Sequence, residues 1–197
     1  MIIFFIFIFS SFIYPLQIEV QSDGFPFPFL LTEEMDYKVQ GLKISEEKWI
    51  INIWQDLMFS PLGVDYQKVL KETKSVKNFI RYDPFMSNEN FNEIIKIKKG
   101  NCVSYVSYLK KKLKSLGFVV EEVHGIVFSS KKNNPFYLSN LSATPHRWIK
   151  VFFPDLGWVS FDPVSESGRI TKYHLPLKDG SHLKLLKNLK IVVQRWD

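Results

Sequence analysis

Apolar and polar positions divide the chain into stretches with different periods. Residues 1–14, MIIFFIFIFSSFIY, form an unbroken apolar run with no charge before Glu19. Beyond it, apolar residues recur every three or four positions, the period of a helix. Ser45 caps a first predicted helix with Glu46 and Glu47 in its opening turn and Trp49, Ile50, Ile53, Trp54, Leu57 and Met58 on one face. Ser60-Pro61-Leu62-Gly63 ends it. A second predicted helix, residues 65–81, gathers Tyr66, Val69, Leu70, Thr73, Val76 and Ile80, and Asp83-Pro84 closes it. A short third covers residues 91–98 and stops at Gly100. In the fourth, Cys102, Val106, Leu109, Leu113 and Leu116 step by 4, 3, 4 and 3 into a single apolar stripe, with Gly117 as the stop.

After Gly117 the period changes. Residues 118–128 (FVVEEVHGIVF), 146–153 (HRWIKVFF) and 158–162 (WVSFD) are short, β-branched and aromatic, and read as strands. Residues 129–145 are polar and carry Asn133-Asn134-Pro135, a loop signature, and residues 154–157 form a turn. The tail repeats the strand pattern at 175–177 and 189–193 around a Lys178-Asp179-Gly180 turn. A helical half followed by a strand half predicts an α+β fold, with helices packed on an antiparallel sheet.

Composition narrows this picture. The chain of 197 residues suffices for one domain with an extension. The opening apolar run is shorter than the ~20 residues of a membrane-spanning helix and matches a signal-peptide core. Residues 1–20 are therefore expected to be a signal peptide or N-terminal anchor, making the protein exported, with a buried N-terminal strand as the alternative. Residues 21–64 then form a linker and helical extension, in which Phe25-Pro26-Phe27-Pro28-Phe29 is an extended tether. Residues 65–197 form the main domain. The lone cysteine excludes an intramolecular disulfide and a multi-cysteine zinc site. Net charge is +6, from 22 Lys and only 4 Arg, a balance ill suited to specific nucleic-acid reading. Lys110-Lys111-Lys112 reads as a solvated helix face; together with Lys131-Lys132 it offers an alternative attraction to anionic polymers or a membrane surface. His124 reads as a packed histidine. His174 and His182 lack ligand spacing, so neither a metal nor a cofactor is expected.

The candidate chemistry centres on Cys102. A cysteine in the first turn of a helix meets unpaired amide groups and the positive end of the helix dipole, both of which favour a thiolate. A thiol nucleophile also needs an imidazole within reach, and the imidazole needs an acceptor on its other nitrogen. His146 opens one strand and Asp162 closes the next. Their equal parity puts them on one face if the intervening turn keeps even register, which a three-residue loop with left-handed Gly157 would do. Backbone N–H at Cys102, or Tyr82, are the candidate oxyanion donors. Trp148 and Trp158 are expected to fill the sheet core, with a substrate groove as the alternative that makes them candidate substrate-binding residues.

Gly100-Asn101-Cys102, Leu116-Gly117, Val123-His124-Gly125, His146-Arg147-Trp148-Ile149-Lys150-Val151, Gly157-Trp158-Val159 and Phe161-Asp162-Pro163 together resemble the transglutaminase-like superfamily of papain-like thiol enzymes. Its bacterial members read G-x-C, L-G, H-A-W-x-E-V, G-W and D-P. The likeness spans about residues 65–164 in order and spacing. It implies a papain-like core, with Cys102 as nucleophile, His146 as general base and acid, and Asp162 as its orienter. It further implies attack on an amide to give an acyl-enzyme that water or an amine resolves, the partner being a peptide or protein such as a cell-wall peptide. A catalytically idle binding module on the same fold is the alternative. Arg147 stands where the family has Ala and Lys150 where it has Glu, so substrate preference is what these departures bear on.

Overall fold

The computed structural model describes residues 15–22, 27–56, 58–129, 142–180 and 189–195. Three layers stack on one another. The outer layer is a five-stranded antiparallel sheet in the order β11-β1-β4-β3-β2, built from β1 (Leu16–Ser22), β2 (Thr32–Glu33), β3 (Tyr37–Ser45), β4 (Lys48–Gln55) and β11 (Leu189–Arg195). The middle layer is a four-stranded antiparallel sheet in the order β10-β7-β8-β9, from β7 (Val119–Ser129), β8 (Ser142–Phe153), β9 (Gly157–Phe161) and β10 (His174–Pro176). The third layer holds α1 (Val64–Phe79), α2 (Phe91–Ile97) and α3 (Cys102–Ser115), with a short parallel pair of β5 (Arg81–Tyr82) and β6 (Lys99–Gly100) at the start of α3.

Two apolar cores hold the layers together. One fills the space between the sheets, where Leu16, Ile18, Val20, Ile51 and Ile53 meet Ile126, Trp148, Leu175 and Leu177. The other lies under the helices, where Val69, Val76, Val106, Leu109 and Leu113 meet Ile149, Val151, Val159 and Phe161. Successive side chains of a strand face opposite sides, so Trp148 enters the first core and Ile149 the second.

The three predicted helices after residue 64 form close to their expected limits. The helix expected from Ser45 does not. Residues 48–55 are strand β4, and burial alternates along it, with Trp49, Ile51, Ile53 and Gln55 inward. Glu46 and Glu47 are the turn of the β3–β4 hairpin, where Ser45 pairs with Lys48. Trp and Ile at both odd and even positions satisfy either period, and pairing with β1 and β3 selects the strand.

The expected division of the N-terminal part changes accordingly. Leu16–Ser22 is an interior strand, paired on one side with β4 and on the other with β11, and Leu16, Ile18 and Val20 are fully buried. Residues from Leu16 onward thus belong to the folded unit rather than to a leader ending at Val20; residues 1–14 lie outside the described residues. The 21–64 segment supplies β2, β3 and β4 rather than a linker and helical extension. Of the Phe-Pro repeat, Phe27, Pro28 and Phe29 lie among the described residues. Phe29 is buried and bridges Leu177, while Lys178 N–H donates to Pro28 O at 2.9 Å, so this stretch is extended but clasped to the tail. No helix among the described residues is long and apolar enough to cross a membrane.

Candidate active site

Three backbone devices fix Cys102. Asn101 caps α3, its side-chain oxygen accepting from Val103 N–H at 3.0 Å. Asn101 N–H donates to Met86 O at 2.8 Å, tying the helix start to the loop after β5. Gly100 sits so close to the first turn that a Cβ there would lie 2.3 Å from Ser104 Cβ, so the position before the cap has no room for a side chain. Cys102 is a free thiol with 9% of its surface exposed.

The register of the β8–β9 hairpin brings in the other two residues. Phe153 pairs with Gly157 and Ile149 with Phe161, which keeps even parity across a three-residue turn; Gly157 has φ +71°, as the turn requires. Asp162, the residue after Phe161, therefore lies on the same side of the sheet as His146. His146 Nε2 is 3.1 Å from Asp162 Oδ2. His146 and Cys102 each shift the other's proton affinity, so the imidazole is coupled to the thiol as well as bonded to the carboxylate.

Charge follows from these contacts. Burial pushes the Cys102 thiol up, but the hydrogen bond and charge of His146, with backbone N–H of Arg147 and Val103, outweigh it and leave the thiol below its usual range. Burial pushes His146 down, yet Asp162 and Cys102 raise it to about 9. Burial likewise opposes ionisation of Asp162, and hydrogen bonds from His146 and His174 reverse this and hold the carboxyl well below the ordinary carboxylate range. These shifts act together towards a thiolate–imidazolium pair backed by a carboxylate.

His174 is the residue that sequence reasoning missed. Its Nε2 lies 3.2 Å from the same Asp162 Oδ2, and its ring stands edge-on to that of His146 at 5.7 Å. The spacing of His174 carried no signal. It arrives through a long-range pairing, β10 against β7, in which His174 faces Val127. The donor atoms of His146, Asp162 and His174 all lie within 4.8 Å of one another, which raises the question of a metal. Thr171 N–H donates to His174 Nδ1 at 3.0 Å, so the proton of the neutral ring sits on Nε2 and points at the carboxylate. That donor set fits a hydrogen-bond network rather than a metal.

The remaining candidates separate. Tyr82, on β5 beside Gly100, is half-exposed and edge-on to Tyr105; burial, with the charges of Cys102 and Asp162, raises its phenol. Trp148 is 1% exposed and packs against the rings of His146 and His174, so it belongs to the core and has no face left for substrate. Trp158 pairs with Phe152, six positions and ~20 Å along β8 from His146, and Lys150 covers its ring at 4.6 Å. It too is removed from the thiol. The family-departing Arg147 binds Glu89 at 2.6 Å and Glu122 at 2.9 Å, and Lys150 binds Glu121 at 2.9 Å. His124 lies near Glu122 with burial lowering its proton affinity. Lys110 and Lys112 pair with Glu122 and Glu72. Lys131, Lys132 and His182 lie outside the described residues.

Comparison with known proteins gives distant likenesses and one decisive match. A stretch of 121 residues is 25% identical to the uncharacterized protein YebA of Bacillus subtilis, covering 52% of this chain but only 16% of that protein. Among solved structures, a candidate cysteine protease from Cytophaga hutchinsonii superposes with a TM-score of 0.47 at 12% identity, over 91% of this chain and 86% of that one. The periplasmic domain of TgpA from Pseudomonas aeruginosa gives 0.41 at 12% identity, over 78% of this chain and 91% of that domain. The model of the Transglutaminase-like superfamily matches residues 58–163, from the loop before α1 to the residue after Asp162. As that match takes in more than half of the chain, the protein belongs to the transglutaminase-like superfamily.

Proposed function

We propose that this protein is a thiol enzyme that attacks an amide-linked acyl group through Cys102, with His146 as general base and acid and Asp162 as orienter. The observation that carries the reading is that His146 is bonded at 3.1 Å to a buried carboxylate while its proton affinity is coupled to that of the single cysteine of the chain. The Cys102 thiolate adds to the amide carbon. Oxygen takes the negative charge opposite backbone N–H at the start of α3, where the first helical amides lack intrahelical partners, with the Tyr82 hydroxyl as a second donor. The His146 imidazolium then gives its proton to the departing amine, the C–N bond breaks, and the acyl group remains as a thioester on Cys102. Neutral His146 next takes a proton from water, whose oxygen attacks the thioester carbon; the C–S bond breaks, the acid leaves, and the proton kept on His146 pairs with the freed Cys102 thiolate. Hydrolysis of a peptide-like bond is the favoured outcome, since diverting the thioester to an amine requires an enclosure that excludes water, and Tyr82, beside the start of α3, is half-exposed. Transfer to an amine is the alternative outcome for the same thioester.

The proposed substrate is a peptide or protein, cell-wall peptide included, met outside the cytoplasm. Support for export comes from the charge-free apolar run of residues 1–14, which also offers a membrane tether. Exposure to peptide, peptidoglycan and glutamine donors, followed by mass spectrometry, tests the chemistry. A thioester adduct on Cys102, absent in Cys102→Ser and His146→Ala, is expected. Added amine then shows whether water or amine resolves it. No adduct from any donor, with substrates turned over equally by Cys102→Ser, would remove the reading.

A further inference from the structure

We propose that His174 is a second positioning imidazole for Asp162, holding the carboxylate that faces His146 and sharing its charge. The inference rests on the catalytic reading of Cys102, His146 and Asp162 and extends it by a residue outside the 58–163 family match.

Asp162 is held by three donors. His146 and His174 both direct Nε2 at Oδ2, at 3.1 and 3.2 Å, and Val164 N–H donates to Oδ1 at 2.9 Å. A carboxylate bonded this way has its plane fixed. His174 is itself immobilised. Its Nδ1 receives Thr171 N–H, its ring meets Trp148 edge-on at 5.3 Å, and its backbone oxygen accepts from the Tyr37 hydroxyl, which reaches across from β3 of the other sheet. The titratable groups facing it are Asp162 and His146 at Nε2 and Tyr37 at the carbonyl; Thr171 and Trp148 complete its surroundings. Burial and the neighbouring His146 charge keep the ring neutral. A neutral ring that accepts at Nδ1 can only donate at Nε2, so it acts as a fixed donor rather than as a proton carrier.

The consequence is a divided carboxylate. A hydrogen bond from His174 withdraws negative charge from Oδ2, and the pull of Asp162 on the His146 proton is weakened in proportion. With His174 replaced by an apolar side chain, the carboxylate faces His146 alone and holds its proton harder. His146 then releases that proton less readily to a leaving amine.

The test uses alkylation of Cys102 by iodoacetamide from pH 4 to 10, which needs no substrate. The parent should show a plateau below pH 7 and a second rise near pH 9, where His146 loses its proton. His174→Leu should move that second rise upward by about one pH unit, a tenfold change in proton affinity. His174→Gln should restore the parent profile, since its amide N–H can donate to Asp162 while its oxygen accepts from Thr171. Parent and His174→Leu profiles that coincide would make His174 a packing residue and overturn the inference, leaving the catalytic reading intact. A parent with no acid plateau would overturn the catalytic reading itself. Nitrogen NMR of the unaltered protein decides independently of folding in the variants. His174 should stay in one neutral, Nε2-protonated form from pH 8 to 6, and titration near pH 6.5 like a free imidazole would overturn the inference.

Discussion

At the residue scale the site is a chain of proton acceptors and donors in which each member fixes the next. Asp162 is the pivot, and its replacement by Asn isolates what its charge does. The amide keeps an oxygen for Val164 N–H but offers an N–H towards His146, which reverses the hydrogen bond and disfavours the imidazolium. Turnover of whichever donor forms the Cys102 adduct should fall about 10²–10⁴-fold, while the melting temperature stays within about 5 °C of the parent. Glu166→Gln is the control, since Glu166 is 99% exposed and its pair with Lys77 lies at the surface. Equal losses in the two variants would show that Asp162 acts through stability alone. Cys102, His146 and Asp162 were legible in the sequence because each belongs to a local pattern: a helix start, a strand start, and a strand end linked by a short turn. His174 was not, because nothing local distinguishes it from a strand residue. Only the pairing of β10 with β7 brings it to Asp162.

Among elements, the short bend between β2 and β3 carries a second buried charge problem. Among the described residues, Glu34 Oε2 is buried without a hydrogen-bond partner. Burial is the main cause that raises its carboxyl to about 7, with nearby Asp36 adding to it. The sign is set by linkage: a carboxyl with raised folded-state affinity binds its proton more tightly than the unfolded chain does. Its stabilisation is complete below the unfolded value near 4.5 and is lost as pH rises towards 7. Glu34→Gln removes that loss, so it should be more stable than the parent at pH 8 by ~1–3 kcal/mol and equal to it near pH 4. Denaturant titrations at the two pH values check this; a variant less stable at pH 8 would contradict it. The elements also show where pattern reading works. In α3 the apolar positions fit one period only, and Cys102, Val106, Leu109 and Leu113 of the predicted stripe are buried, while Leu116 at the C-cap is exposed. In β4 the sequence Trp-Ile-Ile-Asn-Ile-Trp fits two, and neighbours that the sequence does not name made the choice.

Over the whole molecule, the outer sheet is part of the site's support rather than an appendage. It covers the Trp148 side of the middle sheet, and Tyr37 on β3 bonds the backbone of His174. Gln55 at the end of β4 donates to Ile170 O at 2.9 Å, and Arg169 binds Asp36 at 2.6 Å, so the loop between Asp162 and His174 is anchored to that sheet as well. A fragment of residues 58–197, which retains the entire family match, should therefore lack a cooperative thermal transition. Its Trp148 should be accessible to a quencher that does not reach it in the full chain. A fragment that melts cooperatively with a protected Trp148 would show that the inner two layers stand alone.

The pairing of β1 with β11 also orders events in time. Once β4 has been made, β1 has one neighbour, but its other edge waits for a strand roughly 170 residues further along, on the order of 10–30 s of synthesis at ordinary elongation rates. Through that interval a strand bearing Leu16, Ile18 and Val20 presents open backbone groups, a template on which other nascent chains can pair. The sheet that steadies His174 is finished last, so on a ribosome-bound chain Cys102, His146 and Asp162 are all made before their support is complete. Through that time the cell must keep an unfinished edge from aggregating.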